Sequence, residues 1–280
     1  MVTLPYHVAY EPLDGSSSLD AYDAAQSMLG MARSLAVLTH YCLHSQLIKQ
    51  APSLTGAKIL ALPPQSGSFL LPFSINIDPD IIADLTSLTL GVFGNYIHDF
   101  TKYAFRKISG LHHLPETNTL KEIIEKKPGD IEAISDTINE DVIRIHRPLM
   151  HNVQTFNIYG NKNHIGTFNH STLDFAKSKE LGPPFEEFIG TIAAMNANSD
   201  VGRIWVETEG RTIPFKRDQG LKRLSSNDRQ LLSWSLDQYT NRKIATDTKS
   251  GQIRLIGQSL RNREDRVTKI FVKSVDIISK

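Results

Sequence analysis

Phe69-Leu-Leu-Pro-Phe-Ser-Ile-Asn-Ile77 carries Phe69, Leu71, Phe73, Ile75 and Ile77 at every second position, and an extended chain puts all five on one face. That alternation predicts a half-buried strand, and its flanks decide what covers it. Ala57–Leu62 reads as a second strand, joined to the first through the turn signals of Pro63-Pro64-Gln65-Ser66-Gly67. Pro72 falls on the opposite face and cannot donate to a ladder, which predicts an edge strand or a bulge. Upstream, Asp20 stands at the N-cap of a helix running to about Leu47, with Met28, Met31, Leu35, Leu38 and Cys42 spaced by three or four. Leu4–Tyr10 reads as one more strand. A strand, a long helix and a hairpin make an α+β arrangement in which the helix covers the buried face of a small antiparallel sheet.

Downstream, the pattern predicts a helical region: Asp80 to about Lys107, Leu120–Glu125, and Asp130–His146, with Gly129 ending one helix and Asp130 capping the next. Short β-like pieces follow at Val153–Tyr159 and His164–Phe168. Pro183-Pro184 then introduce an expected helix over Phe185–Ala197. After that the character changes. Gly202–Thr208 and Arg211–Lys216 form a hairpin around Glu209-Gly210, with Ile204 and Val206 facing Ile213 and Phe215. A helix from Ser225 and strands at Lys243–Thr246, Gln252–Gln258 and Val267–Val275 complete five strands and one helix. That set predicts a small C-terminal β-barrel, SH3-like or OB-like. The boundary is expected near Asn196–Asp200, giving a body over 1–198 and a barrel over 199–280.

The chain has 280 residues, room for two domains. Its 31 Lys+Arg and 30 Asp+Glu nearly cancel, yet the balance is not uniform. Residues 200–280 hold 17 basic and 10 acidic residues, a net of +7, and residues 1–199 hold 14 and 20, a net of −6. A small basic barrel fits nucleic acid, since Lys and Arg neutralise phosphates while exposed aromatics stack bases. The candidates are Arg203, Trp205, Arg254, Lys269, Phe271 and Lys273. The competing reading makes Trp205 and Phe271 core residues and the charges solvated or docked on protein. The single cysteine, Cys42, cannot form an internal disulfide, and the first residues lack a signal-peptide pattern, so a cytoplasmic location is expected. The apolar run Leu85–Ile97 is too short to span a membrane. It predicts a buried helix or a subunit interface through Leu85, Leu88, Val92, Phe93 and Tyr96.

Several chemistries are excluded by missing motifs: no phosphate-cradling Gly-rich loop, no H-E-x-x-H, no C-x-x-C and no G-x-S-x-G elbow occur. His40 and His44 stand one helical turn apart without a third ligand, and His112-His113 sits in a loop. His146, His151, His164, His170 and Asp174 form the densest set. Clustered His and Asp can hold a divalent ion that activates water, so a metal-assisted hydrolase is the alternative function. Their spacing matches no ligand pattern, and no cofactor is expected. Arg33, on an Ala/Leu-rich helix, needs an acidic partner if buried, with Asp23 and Asp99 as candidates.

Ala32-Arg33-Ser34-Leu35-Ala36, Thr39-His40-Tyr41, Gln50–Ala57, Pro63-Pro64 and Gly67-Ser68-Phe69 together resemble a group of uncharacterised bacterial proteins. In that group a domain of unknown function precedes a five-stranded β-barrel domain, whose start resembles Gly210–Phe215 here. The resemblance implies two domains, a bacterial origin and a setting in mobile elements or phage defence; it implies no activity or catalytic residue. The expected function is therefore a non-enzymatic accessory protein. Its body self-associates and its basic barrel contacts DNA, RNA or a partner protein from the same operon. A purely structural homo-oligomer is a further alternative.

Overall fold

A computed structural model describes residues 2–15, 18–63, 69–78, 80–81, 90–196, 198–241, 251–262 and 265–278. The chain divides into two compact units, Met1–Lys177 and Ser178–Lys280. The class is α+β: six helices among the described residues, a five-stranded antiparallel sheet in the first unit, and a closed five-stranded barrel in the second.

The first unit's sheet is built from β1 (Val2–Pro12), β2 (Ala57–Ala61), β3 (Phe69–Ile77), β4 (Val153–Gly160) and β5 (Asn163–Phe168). Their order is β2-β3-β1-β4-β5. Leu71, Phe73, Ile75 and Ile77 of β3 and Leu4, Tyr6, Val8 and Tyr10 of β1 enter one core, as period-two alternation requires. β3 is an interior strand, not the edge that Pro72 suggested. The Pro72 carbonyl accepts from the Leu62 N–H just past the end of β2, so the missing N–H on that side costs no ladder bond.

Over the core lies α1 (Ala21–His44), capped by the Asp20 carboxylate on the Tyr22 and Asp23 N–H groups. From Ser34 to Leu43 every residue is buried, the mark of a helix enclosed on all sides. It is joined there by α2 (Leu90–Ile108), α3 (Asn118–Lys126), α4 (Pro128–Ile145) and α5 (His170–Lys177). Asp130 lies inside α4 rather than capping it, and accepts from the Tyr41 hydroxyl at 2.7 Å. α1 and α4 approach closely at Gly30, where any Cβ would collide with the Asp141 carbonyl. The partner of Arg33 is on that same helix: Asp141, at 3.2 Å, and neither Asp23 nor Asp99. Burial raises the Asp141 pKa, opposed by Arg33 and Arg144.

In the second unit, β6 (Glu180–Leu181) pairs with the end of β10 (Ile253–Arg261). The barrel itself is β7 (Glu186–Asn196), β8 (Val201–Val206), β9 (Arg211–Arg217), β10 and β11 (Val267–Ile277). Residues 185–197 were expected to be helical; 186–196 are a strand, so the unit begins about 20 residues earlier than the expected boundary. The expected strand Lys243–Thr246 lies outside the described residues. β7, β8 and β9 form an antiparallel meander, β9 pairs in parallel with β11, and β10 closes the ring between β11 and β7. With α6 (Ser226–Asn241) between the third and fourth strands, this connectivity is that of an OB-type Greek-key barrel rather than an SH3-like one. α6 is tied to the ring by Ser235, which accepts from the Ile192 N–H at 3.0 Å and donates to the Gly251 carbonyl at 2.6 Å.

Candidate nucleic-acid interface

Alternation along three neighbouring strands decides what this barrel shows to solvent. Gly202, Ile204 and Val206 of β8, Ile213 and Phe215 of β9, and Ile270 and Val272 of β11 are buried. The intervening residues therefore point outward: Arg203 and Trp205, then Thr212, Pro214 and Lys216, then Lys269, Phe271 and Lys273. Since β9 lies between β8 and β11, these side chains share one continuous outer face. Trp205 stands opposite Thr212, Arg203 opposite Pro214, and Lys216 beside Phe271. Neither Trp205 nor Phe271 belongs to the buried core cluster; both rings are half-buried on the outer side of the sheet.

Cations and rings are interleaved on that face. The Arg203 guanidinium donates from Nε to Thr212 Oγ1 and from Nη2 to the Thr212 carbonyl, both at 3.1 Å. It is thus drawn along the sheet toward the position of Trp205. Lys216 Nζ lies 5.0 Å from the centre of the Phe271 ring. Lys273 Nζ lies 4.4 Å from the centre of the Phe185 ring and donates to the Pro184 carbonyl at 3.0 Å. Such pairs keep a cation beside an outward-facing π-face. The groups present can stack flat rings and neutralise phosphates.

Arg254 does not join this face. It sits on β10, forms an ion pair with Glu187 at 3.3 Å, and has Ile189 and Asp276 as its cross-strand neighbours. Four of the barrel's acidic groups, Glu186, Glu187, Glu207 and Glu209, line a separate groove of about 460 Å³. Lys216 and Phe185 were not among the candidates read from the sequence. Lys216 was within reach of the alternation, one residue past inward-facing Phe215. Phe185 was hidden by its assignment to the first turn of a helix.

The profile of a family described as Domain of unknown function (DUF7946) matches residues 10–177. The chain belongs to that family. The match ends on the last residue of the first compact unit, so the barrel lies beyond the DUF7946 domain. No curated protein and no solved structure matches the chain. None of the described helices is long and apolar enough to cross a membrane.

Within the DUF7946 domain the candidate metal set is dispersed. His146 is a core residue, bonded to the Val142 carbonyl and to Thr172. His151 binds the Asp23 carboxylate beside Arg147. His164 lies exposed over β5, bonded to Asn157 and Thr167. His170 and Asp174 are exposed on α5. The interface set fares similarly: Phe93 and Tyr96 are buried in the domain's own core, Val92 is exposed, and Leu85 and Leu88 lie outside the described residues.

Among the described residues, the group that does converge is Asp99, His113 and Glu116. Its atoms are already committed. Asp99 Oδ2 accepts from the Glu116 N–H, the Thr117 N–H and the Thr117 hydroxyl at 2.7–2.9 Å, and its Oδ1 meets His113 Nε2 at 3.2 Å. Lys102 holds the Glu116 carboxylate at 2.8 Å. This buried carboxylate anchors the chain as it enters α3, where Thr117 is the N-cap. Asp99→Ala should therefore cost about 3 kcal/mol in urea unfolding, because it strands two backbone N–H groups. The loss should be the same with and without EDTA; a loss that appears only in the chelator-free sample would make the cluster a metal centre instead.

Proposed function

We propose that this protein is a nucleic-acid-binding accessory protein whose barrel contacts DNA or RNA through the outer face of β8, β9 and β11. The observation that carries this reading is the interleaving of Arg203, Lys216 and Lys273 with Trp205, Phe271 and Phe185 on one continuous surface. Charge supports it: residues 178–280 hold 18 Lys+Arg against 13 Asp+Glu, a net of +5, while residues 1–177 hold 13 against 17, a net of −4. Binding at this face is governed by phosphate neutralisation, so affinity falls with salt.

Fluorescence anisotropy with labelled oligonucleotides tests the reading. Affinity should drop steeply between about 50 and 200 mM salt. The Lys216→Gln, Lys273→Gln double variant should weaken binding and make the slope of log K against log [salt] shallower by roughly 1.4 to 1.8. Arg254→Gln, on β10 and held by Glu187, should leave both affinity and slope unchanged. Absence of binding at low salt, or an equal effect of Arg254→Gln, would remove this reading.

A further inference from the structure

The geometry points to single-stranded nucleic acid as the ligand of this face, with Phe185 as a third base-stacking residue supplied by the segment that leads into the barrel. This inference rests on the barrel-face reading above and narrows it.

The segment's path follows from its sequence. Leu181 pairs with Leu260 and the Gly182 N–H donates to the Ser259 carbonyl, but Pro183 and Pro184 have no N–H to offer, so the chain leaves the ladder before rejoining it at Glu186. The excursion is held at two points. Gln258 Nε2 donates to the Gly182 carbonyl at 2.8 Å, and Lys273 Nζ donates to the Pro184 carbonyl at 3.0 Å. Gln258 stands directly opposite Phe271 in the ladder, so the excursion borders the Phe271–Lys273 row. It presents Phe185 with 73% of its surface exposed, the largest exposure of any large apolar side chain among the described residues of this unit. An apolar ring left so open beside a lysine is poorly explained by packing.

Three rings, Trp205, Phe271 and Phe185, thus share this surface, and Lys216 and Lys273 rest on the last two. Trp205 and Phe271 are separated by two strand spacings and by the four residues from Thr212 to Lys216 along β9, roughly 16 Å in all, which suits bases about two or three nucleotides apart on an extended strand. Rings that face outward on a sheet surface, half-buried as Trp205 and Phe271 are or open as Phe185 is, can take the face of an unpaired base. They cannot take a base in a duplex, whose faces are stacked inside, and this face offers no helix or ribbon to enter a groove. The cations complete the argument. When a base slides onto Phe271 or Phe185, it displaces the ammonium resting there, and that ammonium becomes available to the adjoining phosphate. Ring and charge thereby exchange a weak internal contact for two ligand contacts.

The chain has two tryptophans, Trp205 and Trp234, so a Trp234→Phe variant of the full chain reports on Trp205 alone. Titration with an oligo-dT of about 15 nucleotides should quench its fluorescence, and with the blunt duplex of the same length should not. Oligo-dT should bind at least about tenfold tighter than the duplex. Phe185→Ala, a surface change, should weaken oligo-dT binding by between about 5-fold and 150-fold and leave duplex binding unaltered. Equal affinity for duplex and single strand, or unchanged oligo-dT affinity in Phe185→Ala, overturns this inference while leaving the barrel-face reading intact. Failure of both ligands to bind at low salt overturns the barrel-face reading itself.

Discussion

Lowering the pH from about 6.5 to about 4 is expected to remove about 3 kcal/mol from the stability of the DUF7946 domain through His146 alone. His146 closes α4 and is 1% exposed. Nδ1 donates to the Val142 carbonyl at 2.8 Å, and Nε2 lies 3.0 Å from the Thr172 hydroxyl. Phe156 and Phe168 meet it edge-on at 5.0 and 5.5 Å. Burial pushes its pKa down to about 4, with Lys177 adding to the fall and the Val142 carbonyl opposing it. The unfolded chain takes up a proton near pH 6.5 while the folded chain stays neutral to about 4. Between those values the unfolded state binds more protons, so stability falls as pH falls; above 6.5 the term vanishes, and below 4 it is constant. Urea unfolding at several pH values, read by hydrogen exchange of β4 amides, should show this slope in the wild type. His146→Gln should lower the starting stability but flatten the curve over that window. Parallel curves for the two proteins would mean that the ring is not buried neutral.

The architecture was legible where one element carried its own period. The alternation of residues 69–77 and the spacing along 21–44 placed the sheet and its covering helix without help from distant residues. Residues 186–196 were misleading for a physical reason. Phe188, Ile192 and Met195 are spaced by four and three, a helical interval, and Pro183-Pro184 precede them as they would a helix. In the structure a bulge at Ala193 breaks the ladder register between Ile192 and Ala194, so Phe188 and Ile192 face the core and Met195 packs against it from an extended chain. A strand with a bulge imitates a helix in a one-dimensional pattern. The helical assignment that hid Phe185 follows from that bulge together with Pro183-Pro184.

The candidate site was half legible. Lys269, Phe271 and Lys273 share a face because period two says so, and Arg203 and Trp205 do likewise on β8. That these rows adjoin depends on β9 lying between β8 and β11, a parallel pairing between strands some fifty residues apart. Arg254 obeys the same local rule and yet falls elsewhere, since only the closure of the ring decides which outward face a strand presents. The histidines show the converse. His146 to His170 are neighbours in sequence, but the turn from α4 into β4 and the hairpin to β5 send them to the core, to Asp23 and to solvent. Asp99 and His113 meet through the folding of a loop that has no period to read.

Closure of the ring also sets the severest mutational test of the binding face. Gly257→Ala is expected to cost the barrel about 3 kcal/mol or more, a large share of a small domain's stability, and to abolish oligonucleotide binding. Gly257 sits on β10 where the register with β11 shifts, between Ile256 and Gly257. A Cβ there would fall well inside van der Waals contact of the Phe271 carbonyl oxygen. That oxygen belongs to the backbone of a ladder strand, so relief requires β10 and β11 to part rather than a side chain to turn. Parting them moves Phe271 and Lys273 off the row they share with Lys216, and loosens the Gln258 contact that holds the Phe185 excursion. Loss of stability and loss of binding should therefore appear together in the barrel. Hydrogen exchange in β1, β3 and β4 of the DUF7946 domain should stay at its wild-type level, because those strands belong to the other compact unit. A Gly257→Ala protein that melts and binds like the wild type would show that the β10–β11 contact is not what holds the face in place.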